Sequence, residues 1–212
     1  MQEAIDPRVV EHVAASVGFP HCASSRGRSL AFMSRLPVSH YEWHRPRFSR
    51  HAFLEIVPSG GCRIFGLHLS AVHAAWTERR RMFELRALLA SIVRHQEGCH
   101  VLTGDFNTLA PGELLERRLL PARLRALVWL SGGRIRWRTI QRVLDSGYVD
   151  AFRRTHPDRP GLTFPTWGPH IRLDYAFIPK MFAGRLRSCD VFDSPEARLA
   201  SDHLPLLTEI DD

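Results

Sequence analysis

The sequence predicts a single α+β domain, on three observations. The chain has 212 residues, 44% of them apolar, enough for one well-filled core, and one domain is the expectation. Several apolar runs of strand length end on a polar or acidic residue, and one longer stretch repeats its apolar residues at helical spacing. No internal repeat, low-complexity tract or apolar run of about 18 residues interrupts the chain, so a membrane-spanning helix is not expected.

The elements follow in order. Gln2-Glu3 opens the chain with no strand in front of it. Asp6-Pro7 then starts a helix, with Asp as N-cap and Pro at the first helical position. Val9, Val10, Val13 and Val17 supply its apolar face and Gly18 its stop. Phe19 to Cys22 reads as a short strand, and Ser29 to Leu36 as another that ends at Pro37. Arg50 to Val57 and Cys62 to Leu69 form a hairpin across Pro58-Ser59-Gly60-Gly61. Alternation in its second strand points Ile64, Gly66 and His68 one way and Phe65, Leu67 and Leu69 the other.

Thr77 to Gln96 is the clearest helix. Thr77 caps it, Glu78 suits its N-terminal dipole, and Gly98 ends it. Phe83, Leu85, Leu88, Leu89, Ile92 and Val93 form its packing stripe, and Arg79-Arg80-Arg81 reads as its solvated face. His100 to Asn107 is a strand with Val101 and Leu102 buried and a sharp turn at Gly104. Asp105 and Asn107 share one side of that extended chain. Trp137 to Leu144 reads as a helix and Tyr148 to Pro165 as a loop that leads into a strand at Arg172 to Phe177. His156 and His170 are read as loop residues. Cys189 to Phe192 and Leu204 to Ile210 are the last strands.

The formal charge is +7, carried by 29 basic residues of which only Lys180 is a lysine. Between Pro111 and Arg142 lie eight arginines and two glutamates, so the excess is concentrated within a segment, 111–147, read as a basic helical insertion. Such a segment is an electrostatic footprint for a polyanion. Trp129 and Trp137 interleave with its arginines, a pattern that suits base stacking on a single strand or seating at a membrane interface. The structural alternative packs Leu119, Leu124, Leu127 and Ile135 onto the domain. Cys22, Cys62, Cys99 and Cys189 are too dispersed for a zinc site and too few for a disulfide scaffold, and they read mostly as buried thiols.

Five short motifs stand in sequence: Gln2-Glu3, His68-Leu69, Gly104-Asp105-Phe106-Asn107, Leu173-Asp174-Tyr175 and Ser201-Asp202-His203. Each alone is a common strand end or turn. Their order across almost the whole chain resembles the endonuclease/exonuclease/phosphatase family, which includes DNase I-like nucleases, abasic-site endonucleases, inositol polyphosphate phosphatases and sphingomyelinases. Phe32 to Pro37 and Thr163-Phe164-Pro165 also look like that family, the latter like its bacterial members rather than its abasic-site endonucleases.

The resemblance implies a four-layer sandwich, with two mostly antiparallel sheets packed face to face and helices outside. It implies a Mg²⁺-dependent phosphoesterase, with Mn²⁺ able to substitute. Glu3 would be the principal metal ligand and Asp202 would serve a second or shifting metal position. Asp105 would orient or deprotonate the attacking water and Asn107 would hold a phosphate oxygen. His203 would contact the scissile phosphate or act as acid/base, with Asp174 fixing its tautomer and favouring its charged form, and His68 would be a leaving-group acid or a second phosphate contact. The family's leading Asn motif and the β-α unit that carries it have no counterpart before Gln2, so the chain reads as N-terminally truncated or its start as misassigned.

The expected partner is a phosphate ester, DNA or RNA ahead of an inositol phosphate or a phospholipid at a membrane surface, handled by a monomer. The basic segment tips the expectation toward a nuclease. A phosphatase or phospholipid/sphingomyelin phosphodiesterase is the alternative within the fold, and a catalytically inactive binding module is the alternative outside enzymes. With no signal-peptide pattern after Met1, a cytoplasmic location is the expectation.

Overall fold

The computed structural model describes residues 1–46, 51–70, 75–93, 98–113, 118, 122, 125, 126, 129 and 137–211. Its centre is a six-stranded sheet. In chain order its members are β3 (Val38–His44), β4 (Phe53–Pro58), β5 (Arg63–His68), β6 (His100–Asp105), β7 (Tyr148–Asp150) and β8 (Asp174–Pro179). The spatial order is β3-β4-β5-β6-β8-β7, antiparallel except for the parallel pair β5-β6. That parallel pair needs a crossover, which helix α2 (Ala75–Ile92) provides.

Strand alternation gives the sheet two apolar faces. Phe53, Phe65, Leu67, Leu102 and Phe177 point to one side, where Leu85, Leu88, Leu89 and Ile92 of α2 and Ile140 and Val143 of α3 (Arg138–Asp145) cover them. Leu54, Val101 and Ala176 point to the other side. Two ribbons lie there: β1 (His21–Ala23) with β2 (Phe32–Ser34), and β9 (Leu186–Val191) with β10 (Leu206–Ile210). Helix α1 (Pro7–Ser16) packs Val10 onto Ala31 outside the first ribbon. The result is the expected four-layer α+β sandwich. Its second layer differs from the expectation: among the described residues it is two separate ribbons rather than one sheet. Between them runs a groove of about 690 Å³, floored by Ile56, Ile64, Gly66 and Thr103 and opening on Asp174 and His203.

Local signals worked where they were strong. Asp6 caps α1 by accepting the Arg8 N–H at 3.0 Å, and Gly18 closes it with φ +71°. Several expectations need correction. Arg81 is not on a solvated face: it is 2% exposed, because the helix turns it inward against Glu78 and the Ser70 carbonyl, while Arg79 and Arg80 are exposed. Phe83 and Val93 are exposed rather than in the packing stripe. Residues 148–155 are not loop but β7 followed by α4 (Ala151–Thr155), with Asp150 capping the helix through the Arg153 N–H.

The cysteines are also corrected. Cys62 and Cys99 form a disulfide, because the parallel register that sets Arg63 opposite His100 brings the residues just before them side by side. Cys22 and Cys189 are free thiols, and Cys189 is fully buried. In the basic insertion, the packing expected of Leu119, Leu124, Leu127 and Ile135 lies outside the described residues, while Trp129 is 76% exposed. No described helix is long and apolar enough to cross a membrane.

Candidate active site

Topology gathers the sequence motifs at one edge of the six-stranded sheet. Strands β5 and β6 run parallel and end level, with His68 opposite Asp105. Strand β8 runs antiparallel to β6 and begins there, with Asp174 opposite Asp105. Just before β10, at the end of the second ribbon, His203 reaches across so that its Nδ1 lies 2.7 Å from the Asp174 carboxylate. Three strand ends and one loop thus place His68, Asp105, Asp174 and His203 together, although 135 residues separate the first from the last.

The Gly-Asp-Phe-Asn segment owes its sequence to packing. Gly104 is not a turn but part of β6, at φ +140°, and a Cβ on it would sit 2.0 Å from the Leu67 carbonyl oxygen. No side chain fits there. Asp105 and Asn107 meet for a different reason from strand alternation. The chain leaves β6 after Asp105, and Asn107 turns back with φ +52°, a left-handed conformation that Asn tolerates better than most residues. Its backbone N–H donates to Asp105 Oδ1 at 2.7 Å, and its Nδ2 donates to Asp105 Oδ2 at 2.8 Å and to the Leu69 carbonyl at 2.9 Å. The amide therefore orients the acid and ties it to the exit of β5, and it contacts a phosphate only by exchanging one of these bonds.

Beneath this edge lies a buried charged cluster absent from the sequence reading. Glu84 accepts the Ser70 N–H at 3.1 Å and the Ser70 hydroxyl at 2.9 Å, and Arg81 Nη1 donates to the Ser70 carbonyl at 2.9 Å. Glu78 in turn accepts from Arg81 and from the backbone N–H and hydroxyl of Thr139. The cluster clamps the segment after His68 to α2 and α3. Its periodicity is that of a helix surface, so nothing in the sequence separates Arg81 from Arg79 and Arg80.

Electrostatics distinguish the two histidines and single out one acid. Burial and then the Asp174 charge push Asp105 up to about 8, against the pull of His203, the Asn107 N–H and Arg81. Burial works against a charged His203, but the Asp174 hydrogen bond and charge, with Asp105 and Asp202, outweigh it and lift the ring to about 9. His68 moves the other way. Burial and the neighbouring His51, stacked at 5.7 Å, lower it, and the charges of Glu3 and Asp174 only partly compensate. Its Nε2 lies 3.7 Å from Asp105 Oδ2, and its buried Nδ1 has no hydrogen-bond partner among the described residues.

Glu3 and Asp202, the two residues that the resemblance gives to metal, are both exposed. Glu3 has φ +53°, and Gln2 beside it lies against the ends of β5 and β6, its Nε2 3.4 Å from the Leu67 carbonyl. No three His, Cys, Asp or Glu side chains converge as a metal group among the described residues. Glu3 and Asp202 offer oxygen donors, and only two of them. Two carboxylates suit a hard cation that keeps most of its waters, as Mg²⁺ does.

Two further residues belong to the site. Thr163 Oγ1 accepts the backbone N–H groups of Leu173 at 3.1 Å and Asp174 at 3.3 Å, which fixes the start of β8. The Phe164 ring stands 4.8 Å from the His203 ring. Thr163-Phe164-Pro165 was visible as a motif, but nothing in it points to a His some 40 residues onward. His156 and His170 stay outside: His156 bonds Asp190 at 2.7 Å and His170 bonds the Gly168 carbonyl at 2.7 Å. Arg172 does not pair with Asp174; it is buried between Glu113 and Asp150.

No curated protein matches the sequence. Solved structures share its fold. The AP endonuclease from Archaeoglobus fulgidus superposes with a TM-score of 0.75 at 20% identity, covering 100% of this chain and 88% of that one. The 3′-5′ exonuclease NExo from Neisseria meningitidis gives 0.69 at 21% identity, covering 94% and 82%. A Neisseria 3′ phosphatase NExo variant bound to product DNA hairpin gives 0.70 at 20% identity, covering 100% and 85%. The model of one family spans residues 1–203, nearly the whole chain and every motif at this edge. The protein belongs to the Endonuclease/Exonuclease/phosphatase family, and so to the hydrolytic phosphoesterases.

Proposed function

We propose that the protein is a Mg²⁺-dependent phosphoesterase that hydrolyses nucleic-acid phosphate esters. The observation that carries this reading is the convergence of Asp105, Asn107, Asp174, His203 and His68 at one sheet edge, with Asp174 already bonded to His203. Hydrolysis of a phosphate ester needs its charge neutralised, a water positioned and a leaving oxygen protonated. Asp105 takes the proton of the attacking water; held in place by Asn107 and pushed up to about 8, it is matched to that task near neutral pH. His203, oriented by Asp174 and lifted to about 9, contacts the scissile phosphate and gives the leaving oxygen its proton as the P–O bond breaks. His68, whose Nε2 lies 3.7 Å from Asp105 Oδ2, contacts a second phosphate oxygen. Glu3, with Asp202 at a second or shifting position, would hold a divalent cation, which would supply charge neutralisation and Lewis acidity when bound.

Nucleic acid is preferred on two grounds. The chain carries a net charge of +7, and structural relatives include proteins described as an exonuclease and as bound to product DNA. The apolar groove that opens on Asp174 and His203 favours a second reading, a phospholipid phosphodiesterase, since it could seat an acyl chain.

The test is hydrolysis of bis(p-nitrophenyl) phosphate, of plasmid and single-stranded DNA, and of phospholipid vesicles, with Mg²⁺ or with EDTA. Metal-dependent release of nitrophenolate and DNA cleavage are expected. Asp105→Ala and His203→Ala should each lower kcat by about 100-fold or more. Cleavage of phospholipid but not DNA would favour the second reading. Unchanged turnover in both variants would remove these residues from the mechanism.

A further inference from the structure

The segment between Thr163 and Ile171 carries an exposed indole beside the reacting centre. Trp167 is 76% exposed, an unfavourable setting for the largest apolar side chain unless something covers it. Its backbone is nonetheless fixed from both sides. Thr166, itself 2% exposed, donates its N–H to the Asp202 carbonyl at 3.0 Å and its hydroxyl to the Ser201 carbonyl at 3.0 Å. Arg198 Nη1 donates to the Thr166 carbonyl at 2.9 Å, and the Gly168 N–H closes onto the Pro165 carbonyl at 3.1 Å. The backbone next to the ring is thus fixed by the same two residues, Ser201 and Asp202, that precede His203.

Trp167 does not stand alone. Its ring centroid is 6.4 Å from that of Phe164, which is 4.8 Å from that of His203. Three rings in contact lead from the phosphate-binding side of the site to its rim. Trp129, equally exposed at 76%, lies in the basic insertion, where no ring contact to the site is recorded among the described residues. A planar group attached to a phosphate held at His203 would meet Phe164 first and Trp167 next.

We propose that Phe164 and Trp167 form a stacking platform for a nucleobase beside the scissile phosphate, and that Trp167 determines a preference for nucleic acid whose bases are unstacked, as in single strands and frayed ends. This deepens the phosphoesterase reading above and rests on it. An unstacked base presents a π-face that an exposed indole can cover regardless of sequence, whereas a base inside a duplex has both faces occupied. The pinned backbone means that little conformational freedom is lost when the base binds.

The test is binding, not turnover, so its outcome is separate from that of the hydrolysis assay. Anisotropy in EDTA would compare a fluorescein-labelled oligothymidylate with an abasic deoxyribose-phosphate oligomer of the same length and charge. The native chain should bind the oligothymidylate about tenfold more tightly. Trp167→Ala should remove that difference and leave abasic binding unchanged, and Trp167→Phe should retain most of it. Equal affinity of the native chain for the two oligomers would overturn the proposal, as would a Trp167→Ala loss of the same size for both. A Trp167→Ala variant that keeps its base preference but no longer binds anionic phosphatidylserine vesicles would assign the indole to a lipid surface and overturn it as well.

Discussion

At the scale of single residues, the site stores electrostatic strain. Asp105 is 4% exposed and stands across the sheet from Asp174, so its ionised form is unfavourable. Its carboxyl is raised from 3.8 to about 8 in the fold. The unfolded chain therefore ionises this group first, and the native state loses stability as pH rises from about 4 to 8. Asp105→Asn keeps the shape and removes the charge, so it should raise thermal stability at pH 8, by on the order of 2 kcal/mol, and change it little at pH 4. Calorimetry at the two pH values checks this, and an equal effect at both would show that burial of the charge is not the source. Asn107, at φ +52°, is the local counterpart: a backbone conformation disfavoured elsewhere is kept where it points an amide at the acid.

At the scale of elements, the parallel pair β5-β6 organises the site and is held at both ends. At the end that carries the candidate site, Leu69 donates its N–H to the Asp105 carbonyl at 2.9 Å, and the Glu84-Ser70-Arg81 cluster fastens the following segment to α2. At the opposite end the Cys62–Cys99 disulfide closes a separation of 37 residues that includes α2. A loop of that length restricts the unfolded chain by about 3–4 kcal/mol in the chain-entropy account. Cys62→Ser with Cys99→Ser should lower the midpoint of chemical denaturation accordingly. Because the bond lies at the far end of the strands, metal-dependent turnover below the melting transition should stay within about twofold of the native value. A large loss of turnover at unchanged stability would mean that the disulfide also sets the height of His68 relative to Asp105.

At the scale of the whole molecule, the two layers of strands differ in how well they are supported. The six-stranded sheet is covered by α2 and α3 on one face, whereas each ribbon opposite has two strands, with the groove between the ribbons. Two-stranded ribbons have little stability of their own. Hydrogen exchange should therefore release the amides of β1, β2, β9 and β10 well before those of β5, β6 and β8. Equal protection across both layers would mean that the ribbons are bound to the sheet as firmly as its own strands. His203 hangs from the end of the second ribbon while Asp174 belongs to the sheet, so this hydrogen-bonded pair joins the less supported layer to the more supported one.

Much of this was legible in the linear chain. The apolar runs around Phe65, Leu102 and Phe177 had strand length and polar ends, and Asp6-Pro7 and Gly18 bracketed a helix, because caps and alternation act over a few residues. The candidate residues His68, Asp105, Asn107, Asp174 and His203 were legible too, each lying in a short motif at a strand end or just beyond one. What the sequence could not carry was register. Only the parallel alignment of β5 with β6 makes neighbours of Cys62 and Cys99, and only the inward turn of α2 separates Arg81 from the two arginines before it. Tertiary structure alone also turned Asn107 back onto Asp105 and set Phe164 against His203. By itself the chain determined which acids, amides and histidines stand at strand ends. The long-range packing of strands decided which of them meet, because contacts between residues far apart in the chain leave no periodic signal along it.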